Sequence, residues 1–303
     1  MNLPADLKVS VRRDVDLSKY CTMRIGGPAR FFAEPRTEDE LVELVQFARE
    51  ESIPFFILGK GSNVVFADEG YSGLVITLIH FNDQDIRINR TTSEVTAASG
   101  VHLYRLALAC RDAGLSGTEF LSGIPGTVGG AVMMNAGFSR FAGQMNEIGD
   151  LIREVRVLDE AGQRLTLERS RLDFSYRHSG LEGKIILEAV LQLARRDSAA
   201  VDAEIRANFE YRNEEQDLKH PSSGSIFKNP PKPLPSAGRL IDGLGLKETR
   251  EGGMLVSPRH ANYFINAGHA TCEDLSRLIK RIQKTVFNEK GILLEPEVRI
   301  IRA

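Results

Sequence analysis

Ser122-Gly-Ile-Pro-Gly-Thr-Val-Gly-Gly-Ala-Val-Met-Met-Asn-Ala-Gly137 decides how this chain reads. Pro125-Gly126 and Gly129-Gly130 alternate with small or β-branched residues, so the stretch carries little side-chain bulk and many backbone donors. Ile124, Val128, Val132, Met133 and Met134 are poor residues for water, which argues against a flexible surface loop. Backbone of this kind suits close approach to the flat face and pyrophosphate of a large cofactor.

A second glycine loop lies upstream. Gly59-Lys60-Gly61-Ser62-Asn63 follows a buried-looking strand, Pro54 to Leu58. Its two glycines allow successive N–H groups to point into one concavity, with Ser62 and Asn63 adding side-chain donors. It is not a Rossmann fingerprint, because Val64 stands where the third glycine belongs, and it lacks the Gly-Lys-Ser/Thr of a P-loop. Taken alone, it is equally a tight turn at the end of a strand.

Glycine is also where the composition departs from the ordinary. The chain has 27 glycines in 303 residues, and nine of them fall between Gly114 and Gly149. They are not periodic, which excludes collagen-like and low-complexity readings. The rest is 42% hydrophobic and 26% charged, the make-up of a soluble globular protein with enough chain for two or three domains. A net charge of −2 without long basic runs leaves no electrostatic footprint for nucleic acid. The first residues, Met1 to Lys8, lack a signal-peptide core, and no apolar run approaches the ~18 residues of a membrane span. Cys21, Cys110 and Cys272 are odd in number and far apart, which speaks against a disulfide framework or a zinc site. A cytoplasmic protein without a metal is expected.

Periodicity gives a mixed α/β chain. Thr37-Glu-Asp-Glu40 reads as a capping box before a helix whose Leu41, Leu44, Val45 and Ala48 share a face. A strand at Leu74 to Leu78, hairpins over 86–99 and 155–167, a helix from His102 to Asp112 and a strand from Ile185 to Leu193 follow. Asp197 to Gln216 reads as a charged connecting helix. A Pro/Ser/Gly-rich loop from His220 to Pro235 opens the last part. That part holds a short helix (Ala237 to Leu244), a strand near Asn262 to Asn266, a long helix capped by Thr271 and a final strand from Leu293 to Ile301.

Seven segments then fall into a known order. Thr22-Met-Arg-Ile-Gly-Gly-Pro-Ala29, Gly59 to Asn63, the 122–137 stretch, Tyr176-Arg-His-Ser179, Gly224-Ser-Ile-Phe-Lys-Asn-Pro230, His260-Ala-Asn262 and Leu294-Glu-Pro-Glu-Val298 together resemble the UDP-N-acetylenolpyruvoylglucosamine reductase family, in its shorter branch. The resemblance runs from about residue 20 to about residue 300. It implies an α+β fold: a two-subdomain FAD-binding module of the vanillyl-alcohol-oxidase (PCMH) type plus a C-terminal α/β substrate-binding domain. On that basis 1–80 and 81–196 are the FAD-binding subdomains and 197–303 is the substrate-binding domain. It also implies non-covalent FAD, NADPH as co-substrate, and a small-molecule substrate, UDP-N-acetylglucosamine enolpyruvate, reduced during peptidoglycan precursor synthesis. Gly59, Lys60, Gly61, Ser62 and Asn63, with Gly123, Ile124, Pro125, Gly126, Thr127, Gly129, Gly130 and Ala131, are the implied FAD contacts.

The same resemblance implies the reacting groups. In the family, hydride passes from NADPH to the flavin and on to the enolpyruvyl methylene carbon, so charge builds toward the neighbouring carbon and its carboxylate. Arg177 matches the residue that meets this charge, and a guanidinium fork suits a carboxylate. Ser225 matches the proton donor. Glu297 matches the active-site acid; strand spacing alone leaves Glu295 and Glu297 on one side and does not choose between them. A carboxyl beside an anionic substrate is expected to be protonated. Tyr176, Lys228 and Asn229 are further expected substrate contacts, whereas His178 reads as exposed or structural. The chain departs from the family after Gly137, where Phe-Ser-Arg-Phe-Ala-Gly143 replaces the usual Ala-Tyr-Gly, and it lacks the tyrosine-bearing loop of the longer branch. Two other readings compete: a flavin oxidase of the same superfamily, and a flavin- or nucleotide-binding protein without turnover. The first is disfavoured because Gly59 to Asn63 has no histidine or cysteine to attach a flavin. The second is disfavoured because a binder has no need of Arg177, Ser225 and Glu297 together.

Overall fold

A computed structural model describes residues 9–138, 140–141 and 145–302. The chain forms two compact units and passes between them several times.

The first unit comprises residues up to Arg12, Phe31–Lys60 and Gly73–Tyr211. Its helix α1 (Glu38–Glu50) starts where the sequence places it: Thr37 Oγ1 accepts from the Glu40 N–H and the Glu40 carboxylate accepts from the Thr37 N–H, a complete capping box. Leu41, Leu44, Val45 and Ala48 are buried against Phe31, Ala33, Leu74 and Ile76. Phe55–Leu58 runs parallel to Leu74–Thr77, with Leu58 opposite Thr77. A second core belongs to a five-stranded antiparallel sheet in the order Arg164–Glu168, Ile152–Leu158, Ile185–Gln192, Glu94–Ala98, Ile86–Asn89. Helix α2 (Leu103–Asp112) covers this sheet with Leu103, Leu106 and Cys110, and the short helix α3 (Val128–Met133) adds Val128, Ala131 and Val132. The start of α4 (Ser198–Glu215) lays Val201 and Ile205 on Ala107.

The second unit comprises Arg13–Arg30, Gly61–Ser72 and Arg212–Ala303. Two N-terminal segments therefore fold with the C-terminal part. Met23, Ile25 and Val65 complete a core made by α5 (Ala237–Gly243), Phe227, Phe264 and α6 (Cys272–Lys290), whose Leu275, Leu278, Ile279, Ile282 and Val286 face inward. A four-stranded sheet runs in the order Ser222–Ser225, Tyr263–Asn266, Met254–Val256, Arg250–Glu251. The last strand is shorter than the sequence implies. Only Arg299–Ile301 pairs as a strand, parallel to Val64–Phe66. Pro296, which has no N–H for a ladder, makes a single bridge with Phe227 instead.

Candidate active site

In the first unit three chain segments meet at the carboxyl ends of the parallel strand pair. Gly59 and Lys60 leave Leu58 there, beside Thr77. The turn 99–102 comes next: the Val128 N–H donates to the Val101 carbonyl at 2.9 Å and the Gly129 N–H to the Ser99 carbonyl at 2.9 Å. His102 bridges Thr127 in antiparallel fashion, and the Leu103 N–H donates to the Gly126 carbonyl at 3.1 Å. A Cβ on Gly59 would lie 2.6 Å from Thr127 Oγ1, and one on Gly129 would lie 2.8 Å from Ser99 Cβ. These two glycines are thus required for the segments to touch. Gly123 closes a buried 3-10 turn, Glu119–Gly123; Ala131 is buried, while Pro125 and Gly130 are exposed.

This cradle is polar where it is buried. Thr77 Oγ1 and Ser99 Oγ are shielded from water and have no hydrogen-bond partner among the described residues. Buried hydroxyls left in that state point to a missing partner. His102 is pushed below the ordinary imidazole range, by burial first and then by the charge of Lys60. A neutral imidazole, a lysine, two waiting hydroxyls and glycine-thinned backbone fit a phosphate-bearing cofactor such as FAD. Thr77, Ser99 and His102 escaped the sequence reading because each is a lone polar residue with no spacing signal. The nearest available sign was that all three follow apolar strands.

Arg177 is also in the first unit. Ser175 and His178 exchange backbone hydrogen bonds, at 3.1 and 3.0 Å, so Tyr176 and Arg177 form the tip of a tight turn. Arg177 has a φ of +59°, a left-handed conformation that costs an arginine free energy. The turn is held from behind: Asn135 Nδ2 donates to the Ser175 carbonyl and to Glu147, and Ser179 Oγ donates to the Met133 carbonyl. The Arg177 guanidinium lies 4.9 Å from the centre of the half-exposed Tyr176 ring. His178 stands between Glu182 and Asp173, at 3.1 and 3.5 Å.

Ser225 and Glu297 lie in the second unit, on neighbouring segments. The Glu297 N–H donates to the Ile226 carbonyl at 2.7 Å, and Phe227 bridges Pro296, so the segment after Ser225 runs antiparallel to 295–297. Lys228 is drawn to Glu295, through its backbone N–H at 2.8 Å and its ammonium at 2.6 Å. Glu295 is well exposed, whereas Glu297 is half-buried with its Oε2 shielded from water. Asn229 Oδ1 accepts from the Ala237 N–H at the start of α5. Gly61, Ser62 and Asn63 are in this unit too: the Gly61 carbonyl accepts from the Thr22 N–H, and Asn63 Nδ2 donates to the Glu297 carbonyl at 3.2 Å. Ser139, Ala142 and Gly143 of the departure after Gly137 lie outside the described residues, as do Met1 to Lys8. Among the described residues no cluster of side chains suits a metal ion, and no helix is long and apolar enough to cross a membrane.

Comparison with known proteins adds five findings. Residues 29–168 match the family model for an FAD binding domain, and residues 216–301 match that for the C-terminal domain of UDP-N-acetylenolpyruvoylglucosamine reductase. A Synechococcus (strain RCC307) protein named UDP-N-acetylenolpyruvoylglucosamine reductase is 41% identical over 98% of this chain and 95% of its own. A Chlamydia muridarum protein of the same name is 42% identical over 96% of this chain and 95% of its own. The crystal structure of UDP-N-acetylenolpyruvylglucosamine reductase from Thermus caldophilus superimposes with a TM-score of 0.79 at 33% identity, covering 97% of this chain and 98% of that one.

Proposed function

Because the chain belongs to the UDP-N-acetylenolpyruvoylglucosamine reductase family, and is an oxidoreductase with an FAD-binding domain, we propose that it reduces UDP-N-acetylglucosamine enolpyruvate to UDP-N-acetylmuramate with NADPH. The observation that carries this reading is the backbone pairing of the segment after Ser225 with the segment that holds Glu297, whose Oε2 is shielded from water. When bound, FAD would supply the two-electron hydride chemistry between a nicotinamide and the vinyl carbon of the substrate. The chain does the rest. Gly59 to Asn63 and Gly123 to Ala131 hold the cofactor without a covalent bond. Arg177 meets the negative charge that develops on the substrate carboxylate, and Glu297 in its protonated form donates to the same group. Ser225 gives its hydroxyl proton to the α-carbon. Tyr176, Lys228 and Asn229 orient the substrate. The division into 1–80, 81–196 and 197–303 belongs to the same proposal, with Arg13–Arg30 and Gly61–Ser72 packing into the core of the C-terminal part. On this reading the protein acts in the cytoplasm.

Ser225→Ala tests the assignment. Reduction of the flavin by NADPH is expected to proceed as in the parent, while reoxidation by substrate slows about 10²- to 10⁴-fold, the loss expected for a general acid. Equal slowing of both half-reactions contradicts the role.

A further inference from the structure

Ser225 faces a buried tyrosine. In the second unit, Ser222 stands opposite Ile265 and Ser225 opposite Tyr263, with an irregularity between them at Gly224, whose φ is +72°. Residues opposite one another on antiparallel strands project to the same face, with Cβ atoms about 5 Å apart. Phe264 projects to the other face and packs edge-on to Phe227 in the core. Ser225 and Tyr263 therefore share the face that the core leaves free. Tyr263 is only 6% exposed. Its hydroxyl oxygen lies 3.9 Å from the point a Cβ on Gly224 would occupy, one residue from Ser225.

Arg212, buried at the end of α4, acts on the phenol through its charge. The guanidinium is itself braced by Gln216, whose Oε1 accepts from Nε at 2.6 Å. The His260 ring packs on Tyr263 edge-on, with centroids 4.6 Å apart, and Glu297 acts on the phenol electrostatically. Burial pushes the phenol up, so it keeps its proton at neutral pH.

We propose that Tyr263, buried opposite Ser225, is a positioning residue that donates a hydrogen bond to the Ser225 oxygen as the serine gives up its proton. This rests on the reductase reading above. The Ser225 O–H bond breaks, a C–H bond forms at the substrate α-carbon, and the electron pair stays on the serine oxygen until solvent returns a proton. The hydride at the adjacent carbon comes from the reduced flavin. A serine hydroxyl is a weak acid, and a neutral donor aimed at the nascent alkoxide strengthens it without adding charge.

Tyr263→Phe removes the hydroxyl and keeps the ring, and the FAD-loaded enzyme can be followed one half-reaction at a time. Flavin reduction by NADPH and the affinity for the enolpyruvyl substrate are expected within about twofold of the parent. Reoxidation by substrate is expected to slow about 10- to 100-fold, as for one lost hydrogen bond to a developing charge. Its solvent deuterium isotope effect should rise. In a Ser225→Ala background the same substitution should add nothing further, because the group it acts on is gone. Unchanged reoxidation, equal slowing of both half-reactions, or full additivity with Ser225→Ala overturns the proposal. A parent enzyme that the substrate fails to reoxidise overturns the reductase reading itself; a reoxidised parent with an unaffected Tyr263→Phe variant overturns only the role of Tyr263.

Discussion

Glu295 and Glu297 are two residues apart and end in different surroundings. Glu295 is exposed and neutralised by Lys228, whereas Glu297 has an oxygen shielded from water. Glu295→Gln is accordingly expected to leave kcat within about twofold, because an exposed ion pair contributes little. Glu297→Ala is expected to lower kcat about 10²- to 10³-fold, the scale of one lost donor to a developing charge. Steady-state rates on the two variants check this, and the reverse order would exchange the two assignments. A similar argument applies to Gly59. Any side chain there meets Thr127 Oγ1, so Gly59→Val should part the two glycine segments and raise the dissociation constant of FAD at least about tenfold, read by flavin fluorescence.

At the scale of single elements, α6 shows what local chemistry contributes. Thr271 Oγ1 accepts from the Asp274 N–H, the Asp274 carboxylate accepts from the Thr271 N–H, and Asp68 accepts from the N–H groups of Cys272 and Glu273. Thr271→Ala should cost about 1 kcal/mol in urea unfolding. Burial alone would raise the Asp274 carboxyl, but N–H donors from Gly253 and Thr271 and the nearby Arg277 hold it below its ordinary value of 3.8. A depressed folded pKa means that its stabilisation is complete above about pH 3.8 and is lost as pH falls through the lower folded value. The acid limb of stability against pH should flatten in Asp274→Asn. Capping residues and 3.6-residue periodicity made α1 and α6 legible in the sequence. α3 was not, since Gly129 and Gly130 sit inside it and are poor helix formers held there by the Ser99 and Val101 contacts. The final strand was read too long because apolar alternation continues through Pro296, which cannot join a ladder. The site divides likewise. Glycine loops and motif order pointed to Gly59, Arg177, Ser225 and Glu297, whereas Thr77, Ser99, Arg212 and Tyr263 become visible only through burial and strand register.

For the whole molecule, non-local packing is what the sequence concealed. Nothing in the periodicity of Arg13–Arg30 or Gly61–Ser72 says that Met23, Ile25 and Val65 belong to the core of the C-terminal part. That arrangement places Asn63 of the first glycine loop on the backbone carbonyl of Glu297. A cofactor that binds only the folded chain also stabilises it. Free FAD at a hundred times its dissociation constant should add about 2.7 kcal/mol, and stripping it should lower the melting temperature measurably by calorimetry. The central claim is that this chain moves hydride from NADPH through FAD to an enolpyruvyl ether. Its most direct test is anaerobic spectroscopy of the FAD-loaded protein. NADPH should bleach the flavin, and one equivalent of UDP-N-acetylglucosamine enolpyruvate should restore the yellow oxidised spectrum within the time of one turnover. A flavin that stays bleached with that substrate and recovers only on admission of oxygen would contradict the account.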